Sequence, residues 1–179
     1  MSQEYCRKAP QDPIHEAYHN EEYGFPIKDE CLLFERLSLE IMQAGLSWGT
    51  VLKKRTALFE AFDGFDAKKV AAYDDNTVQK LLKNAAIIRN KLKINAIIHN
   101  AHVVLTLRDT HGGFAAWLDN HHPQSKRAWV ALFRETFAFT GEEITGEFLM
   151  SIGYLRGAHV PSCPIYGKIA HKRPPWSLR

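Results

Sequence analysis

The sequence predicts an all-α fold that forms a single domain. Apolar residues recur every three or four positions through most of the chain, which is the spacing of one buried helix face. Neither a β-hairpin nor a βαβ unit can be recognised. The length of 179 residues, with 45% hydrophobic and 24% charged residues, suits one ordinary hydrophobic core. We therefore expect residues 1–179 to form one helical domain without internal repeats or a linker.

The first long helix is predicted over the segment DECLLFERLSLEIMQAG. Leu33, Leu37 and Ile41 are spaced by four residues and therefore lie on one helix face. Asp29 is a suitable N-cap, and Gly45 is a suitable residue to end the helix. This helix is thus expected to present an apolar stripe to the core.

Capping residues and apolar spacing predict the remaining helices in order. They are WGTVLKKRTALFEAF after Ser47, DAKKVAAY beginning at Asp66, NTVQKLLKN after Asp74 or Asp75, and the long RNKLKINAIIHNAHVVLTLRDT. Three shorter ones follow, in FAAWLDNH, SKRAWVALFRETF and GEEITGEFLMSIGYL. Four prolines beyond Gly157 disfavour regular structure there. We expect the N-terminal segment to lack secondary structure as well.

The net charge of +3 hides an uneven distribution of charge along the chain. Residues 76–108 carry six basic and no acidic side chains, whereas residues 1–75 carry 9 basic and 14 acidic ones. The six basic residues are Lys80, Lys83, Arg89, Lys91, Lys93 and Arg108. Apolar residues lie between them, so the segment can bury one face and offer the other to a polyanion such as DNA. A solvated helix face without a partner would have the same composition.

A helical hairpin within this basic segment is the first candidate for DNA binding. In LLKNAAIIRNKLKI, the turn from Asn84 to Arg89 joins a short helix to a long one with basic first turns. Unpaired N–H groups and the helix dipole make such a helix N-terminus suitable for a phosphate. Ala85 and Ala86 stand where glycines are usual in a phosphate-binding helix-hairpin-helix. A hairpin with only a structural role would need nothing more than these residues.

Glu40 is an acid in an apolar position. It follows Leu37 by three residues and Leu33 by seven, so its carboxyl group lies on the apolar stripe. A buried unpaired charge is costly, and the group therefore needs a donor or a cation. One interpretation is a cap of backbone N–H groups in the following loop. The other is a ligand pocket, and Tyr18, Tyr23 and Trp48 lie near enough in sequence to form its walls.

The three cysteines exclude a disulfide framework and leave metal binding or packed thiols. Cys6 and His19 form one widely spaced pair, and His159 and Cys163 form an HxxxC pair near the other end. Two thiolates and two imidazoles suit a closed tetrahedral zinc site without a catalytic position. Each of the four could equally be an ordinary surface or core residue. We interpret Cys31 as a packed thiol.

The sequence contains no recognisable signal peptide or membrane span. The N-terminal MSQEYCRKAPQDP is polar, and no apolar stretch reaches the about 18 residues that a transmembrane helix requires. We therefore expect a cytoplasmic protein without a membrane partner.

Four segments together resemble the DNA-3-methyladenine glycosylase I family, and they cover nearly the whole chain in order. They are YHNEEYGFP, LEIMQAGLSWGTVLKKR, AAIIRNKLKINAIIHNA and FLMSIGYLRGAHVPSC. The resemblance implies an all-helical domain of the helix-hairpin-helix glycosylase type, with a structural zinc ion that joins the N- and C-terminal segments. It also implies a monomer that acts on alkylated double-stranded DNA and releases free 3-methyladenine.

The resemblance assigns roles to individual residues by matching position. It implies Cys6, His19, His159 and Cys163 as the zinc ligands. It implies that Glu40 forms a hydrogen bond with the excised base and that Tyr18 and Trp48 stack around this base. Leu46 would insert into the gap that the flipped nucleotide leaves in DNA. The basic hairpin residues Arg89, Lys91 and Lys93 would bind the DNA backbone.

The chain also departs from the family pattern. Tyr23 stands where the family often has Trp, and Met42 stands where it has a second Gln, so we expect a changed pocket wall and substrate range. Ala86 replaces a Gly in the hairpin, and Arg7-Lys8 replace Gly-Trp. Two other functions fit the same sequence. They are a non-catalytic helix-hairpin-helix DNA-binding module and a zinc-stabilised interaction protein.

Overall fold

The computed structural model describes residues 2–178, and these residues form helices connected by short loops. No strand is found within this range. The α-helices are α1 (Ser2–Lys8), α2 (Pro13–Glu21), α3 (Glu30–Gln43), α4 (Trp48–Ala61), α5 (Ala67–Ala71), α6 (Asp75–Lys83), α7 (Lys91–His111), α8 (Phe114–His121), α9 (Lys126–Thr136), α10 (Glu142–Ser151) and α11 (Pro164–His171). Short 3-10 helices cover Ala9–Gln11, Asp63–Phe65 and Pro175–Ser177. The predicted all-helical class is confirmed.

The predicted helix starts are confirmed by hydrogen bonds from the capping side chains. Asp29 accepts a bond from the Leu32 amide, and Ser47 accepts one from the Thr50 amide. Asp74, rather than its neighbour Asp75, caps α6. Helix α7 ends at Gly112, whose φ of 81° lies in the left-handed region that favours glycine.

Both ends of the described chain are helical, which contradicts the expectation of irregular ends. Helices α1 and α2 lie near the N-terminus, and α11 follows the HxxxC motif. Pro13 and Pro164 are the first residues of α2 and α11. A proline is favourable at this position, because its missing N–H would have had no partner in the helix. The prolines therefore start these helices instead of preventing them.

Helix α3 is the central element of the core. All residues from Leu33 to Met42 are buried, and the helix contacts α4, α7, α8 and α10. A second, smaller apolar cluster contains Tyr18, Tyr23, Leu52 and Ala158. It lies beside the C-terminal half of α3, where Glu40 also lies.

An ion-pair network ties α2, α3 and α4 together beneath this second cluster. Glu22 accepts bonds from Arg36 at 2.7 Å and from Arg55 at 2.6 Å. Arg55 also pairs with Glu35 through two bonds of 2.8 and 2.9 Å. The buried charges are thus paired and hydrogen-bonded, as burial requires. The network fixes the end of α2, which carries Tyr18 and His19, against α3.

Between residues 2 and 178, no helix has both the length and the apolar composition that crossing a membrane would require.

Candidate active site and metal centre

A cavity that is partly open to solvent lies where α1, α2, α3, α4 and α10 meet. Its walls are formed by Tyr5, Tyr18, Tyr23, Glu40, Gln43, Trp48 and Glu147. The structure therefore brings together the acid and all three aromatic residues that the sequence singled out. Tyr5, Gln43 and Glu147 were not predicted.

Glu40 lies in this cavity as a buried carboxyl group. Only 4% of the residue is exposed, and no hydrogen bond to it is found within residues 2–178. Burial, and to a smaller extent the nearby Glu147, raise the pKa of Glu40 to about 8, although the positive charge of Arg36 opposes both effects. The cap that was the alternative interpretation of Glu40 is therefore not formed. The group can instead interact with a ligand that supplies a proton donor or a positive charge.

The aromatic walls pack against one another at tilted angles. The Tyr18 ring centroid lies 5.1 Å from that of Trp48 and 5.6 Å from that of Tyr23. Tyr5 packs edge-on against Tyr23 at 5.6 Å. The Arg36 guanidinium donates a 2.9 Å bond to the Tyr18 hydroxyl and lies 4.8 Å from the ring centroid. Arg36 thus holds Tyr18 in position from outside the cavity.

Glu147 reaches the cavity from α10 and is bound to Tyr23. The Tyr23 hydroxyl donates a 3.0 Å bond to Oε2 of Glu147. Burial raises the pKa of Glu147, while this bond lowers it. The sequence contained a weak signal for this residue, because an acid stands directly beside Phe148 of the apolar stripe in α10. Its proximity to Glu40 arises only from the packing of α10 against α3.

A larger open groove leads outward from the cavity. Glu40, Gln43 and Glu147 line both spaces, and the groove continues past the loop after α3 to the first turn of α10. Leu46 lies on this groove with 42% of its surface exposed. An exposed leucine at the mouth of a polar groove is free to contact a ligand that enters the cavity.

Four side chains that could hold a metal ion lie together behind Tyr5 and Tyr23 of the cavity wall. The candidate ligand atoms of Cys6, His19, His159 and Cys163 all lie within 4.8 Å of one another. His159 Nδ1 is 3.6 Å from Cys6 Sγ and 3.4 Å from Cys163 Sγ, and Cys163 Sγ is 3.6 Å from His19 Nε2. Tetrahedral zinc, with Zn–S of about 2.3 Å and Zn–N of about 2.1 Å, would separate neighbouring S and N atoms by about 3.6 Å. The donor set therefore fits this ion.

The remaining ring nitrogens of both histidines are fixed by oxygen acceptors. His19 Nδ1 lies 2.7 Å from the side-chain oxygen of Asn20, and His159 Nε2 lies 2.8 Å from the main-chain oxygen of Tyr23. Such second bonds orient a histidine that binds a metal. Burial lowers the pKa of His159 to about 4, which keeps its ring in the neutral form that metals bind.

The helical hairpin predicted for DNA binding is formed by α6, α7 and the turn between them. Asn90 caps α7 by accepting a bond from the Lys93 amide, and Arg89 and Lys91 are exposed beside it. Lys54 of α4 donates bonds of 3.1 and 2.9 Å to the main-chain oxygens of Ala85 and Ala86. Lys54, which the sequence did not single out, therefore holds the turn against α4.

Lys93 is not available to a phosphate, contrary to the prediction. Only 5% of the residue is exposed, and its ammonium group donates bonds to the main-chain oxygens of Met42 at 2.9 Å and Ala44 at 2.5 Å. It satisfies carbonyl groups that the end of α3 leaves unpaired. Lys93 thus links α7 to the loop that carries Leu46.

The chain is similar in sequence to known methyladenine glycosylases. A family model described as methyladenine glycosylase matches residues 8–131. DNA-3-methyladenine glycosylase 1 of Escherichia coli (strain K12) is 37% identical, and the alignment covers 91% of this chain and 97% of the relative. DNA-3-methyladenine glycosylase of Haemophilus influenzae is 34% identical, with 89% and 96% covered.

The chain belongs to the methyladenine glycosylase family.

Solved structures of the family have the same fold. A variant of 3-methyladenine DNA glycosylase I in complex with 3-methyladenine gives a TM-score of 0.80 at 28% identity, covering 90% of this chain and 96% of that one. The Staphylococcus aureus 3-methyladenine DNA glycosylase I gives a TM-score of 0.79 at 28% identity, covering 92% of this chain and 97% of that one.

The residues that the sequence analysis named as departures from the family pattern lie at different distances from the cavity. Lys8 is exposed and pairs with Glu4, while Tyr5 supplies an aromatic ring to the cavity. Met42 is buried in the core and does not line the cavity, so the expectation that it changes the pocket wall was wrong. Its side chain packs in the main hydrophobic core instead. Tyr23 does line the cavity, and its hydroxyl reaches Glu147.

Proposed function

We propose that this chain, as one glycosylase domain, hydrolyses the N-glycosidic bond of 3-methyladenine in alkylated double-stranded DNA and releases the free base. The observation that carries the proposal is the aromatic cavity whose buried acid, Glu40, has no partner within residues 2–178. The names of the bacterial relatives support the reaction and the substrate. Cleavage of a base inside a duplex requires that the nucleotide first turns out of the stack, which costs a few kcal/mol.

Glu40 would recognise the flipped base through its positive charge. Methylation at N3 makes the adenine of a nucleotide cationic. A cation beside Glu40 favours the ionised carboxylate, which burial otherwise disfavours. Stacking on Tyr18, Tyr23 or Trp48 would contribute about 1–3 kcal/mol per base contact, and their π-faces favour a cation over neutral adenine. Charge therefore selects the substrate together with shape.

The same charge makes the damaged base a good leaving group. When the glycosidic bond breaks, its electron pair remains with the base and neutralises the cation, while positive charge develops on the sugar. We propose that Glu40 stabilises this oxocarbenium-like transition state electrostatically and does not act as a nucleophile. Removal of one such stabilising group typically costs about 10²–10³ in rate.

Contacts outside the cavity would hold the DNA. Leu46, exposed beside the open groove, is proposed to fill the gap that the flipped nucleotide leaves. The hairpin is proposed to act as a helix-hairpin-helix, with the N-terminus of α7 and the exposed Arg89 and Lys91 on a phosphate. Lys93 would act indirectly, because it holds the loop that carries Leu46.

We propose that Cys6, His19, His159 and Cys163 hold a structural zinc ion. Four protein ligands complete the coordination, so the ion would have no open position and would supply stability rather than chemistry. It would join α1 and α2 to the segment before α11, and so fix two walls of the cavity. Metal analysis of the purified protein tests this directly, with one zinc per chain expected.

The proposed protein is a cytoplasmic monomer. The principal alternative is a DNA-binding module without catalysis. Such a module would bind intact and alkylated duplexes equally and would release no base. Incubation with methylated duplex DNA, followed by chromatography of the released bases, separates the two functions. Release of 3-methyladenine supports the glycosylase, and binding without release supports the module.

A further inference from the structure

The proposed reaction produces a proton that needs an acceptor. Bond cleavage leaves a neutral base and a positively charged sugar, and a water molecule then forms the new C–O bond at C1′. The oxygen of that water gives up one proton, so hydrolysis needs a base near the sugar. In the proposed reaction, Glu40 already interacts with the methylated base inside the cavity. A second group is therefore required nearer to the cavity mouth.

Glu147 is a carboxyl group in that location. It lines both the cavity and the open groove, and the groove is also lined by Leu46. A nucleotide whose base lies in the cavity must pass its sugar through the junction of these two spaces. Glu147 is half-buried there, projecting from α10 opposite the end of α3.

The Glu147 carboxylate is held in one orientation with one oxygen free. Tyr23 donates its hydroxyl proton to Oε2 at 3.0 Å. No hydrogen bond to Oε1 is found among residues 2–178. A hydrogen bond to the charged form favours ionisation, which opposes the effect of burial. One oxygen is thus anchored, and the other can accept a bond from water.

The other candidates at the junction are less suitable acceptors. Gln43 cannot take up a proton at neutral pH. The Tyr18 hydroxyl accepts a bond from Arg36, and burial raises its pKa further above neutrality. Glu142 is exposed and pairs with Lys126. Glu147 is the acid that combines a position at the junction with a fixed carboxylate.

We propose that Glu147, oriented by Tyr23, accepts the proton of the water molecule that attacks C1′. In this step the water oxygen forms the bond to the sugar, its proton moves to Oε1 of Glu147, and the positive charge of the sugar is neutralised. The inference rests on the proposed glycosylase function. It adds a second carboxyl group to the site, with a role distinct from that of Glu40.

The surroundings of Glu147 determine the expected pH dependence. Among residues 2–178, the titratable groups that act on it include Tyr23 from the turn after α2, Glu40 from α3, Glu143 from its own helix and Lys126 from α9. Protonation of Glu147 at low pH would remove the acceptor. The rate of the wild type is therefore expected to fall as the pH decreases, because both Glu40 and Glu147 become protonated. When residue 147 cannot ionise, only the contribution of Glu40 to this decrease should remain.

The test is single-turnover release of 3-methyladenine from methylated duplex DNA by the full chain. We expect Glu147→Gln to reduce the rate at neutral pH about 10²-fold, at the lower end of the range for general-base catalysis, and to make the acid limb of the pH profile less steep, because only Glu40 then titrates. Tyr23→Phe should reduce the rate about tenfold, because it removes one hydrogen bond to a charged group. Glu135→Gln, which neutralises an exposed acid on α9, is the matched control and should behave as wild type.

Two measurements distinguish catalysis from a structural role. Glu147→Gln should still bind free 3-methyladenine, and its thermal midpoint should be no lower than that of the wild type, because the variant removes a negative charge near Glu40. An active wild type with an equally active Glu147→Gln variant and an unchanged pH profile would overturn the role of Glu147 alone. A slower variant that has also lost folding or base binding would overturn it too. Absence of base release by the wild type would instead refute the proposed function.

Discussion

Glu40 is expected to reduce the stability of the free protein while it serves the reaction, and Glu40→Gln should separate these effects. Glutamine keeps the shape and polarity of the side chain but cannot ionise. We expect this variant to be more stable than the wild type at alkaline pH and at the same time to lose base excision. A residue with only a structural role would lose stability when replaced.

The size of the effect follows from the proton affinity of Glu40. Burial and Glu147 raise its pKa from 4.5 to about 8. Each tenfold change in proton affinity corresponds to about 1.4 kcal/mol, so ionisation above pH 8 costs the folded protein up to about 5 kcal/mol. Below pH 4.5 the group is neutral in both the folded and unfolded states, and the cost disappears. Between these values the unfolded chain releases its proton first, so stability falls as the pH rises.

Thermal unfolding of both proteins at several pH values measures this dependence. Water that enters the cavity relieves part of the penalty. We therefore expect the free energy of unfolding of Glu40→Gln to exceed that of the wild type by about 2 kcal/mol near pH 9, which corresponds to an increase of about 4–8 °C in Tm. The gain should fall below about 1 kcal/mol near pH 5. Glu135→Gln, at an exposed position, should show no such trend. A gain that does not change with pH, or a loss of stability at high pH, would refute the reasoning.

The other predictions concern the metal, the hairpin and Lys93. Cys163→Ser should lose zinc and about 3 kcal/mol or more of stability, which metal analysis and calorimetry check, and a metal-free variant as stable as wild type would contradict the ligand assignment. Arg89→Ala should reduce the slope of log affinity for DNA against log salt by about one, because one phosphate contact is lost; an unchanged slope would exclude this contact. Lys93→Met should instead lower stability by about 1–3 kcal/mol, because two main-chain oxygens lose their donor, with the salt slope unchanged; a reduced slope would show that Lys93 binds phosphate.

Features that depend on nearby residues could be predicted from the sequence. Asp29 and Ser47 cap their helices through bonds to residues three positions later, and such short-range chemistry is visible in the chain itself. Glu40 was recognised because an acid interrupts an apolar stripe with helical spacing. The metal residues were assigned by resemblance, and the structure brings the four together from positions up to 157 residues apart.

Features that depend on distant packing could not be predicted. Lys93 belongs to a basic run, and charge alone does not reveal that α7 turns this side chain toward the end of α3. Glu147 lies 107 residues from Glu40 in sequence, and only the packing of α10 against α3 brings both to one cavity. Pro164 was interpreted as a helix breaker, although at the first position of a helix the same ring is favourable.

The central claim is that this chain excises 3-methyladenine through Glu40. The most direct measurement compares wild type and Glu40→Gln in the release of free bases from methylated duplex DNA, after both proteins are shown to be folded. We predict release of 3-methyladenine by the wild type and a rate about 10²–10³ lower for the variant. No release by the wild type, or equal release by the variant, would contradict the account.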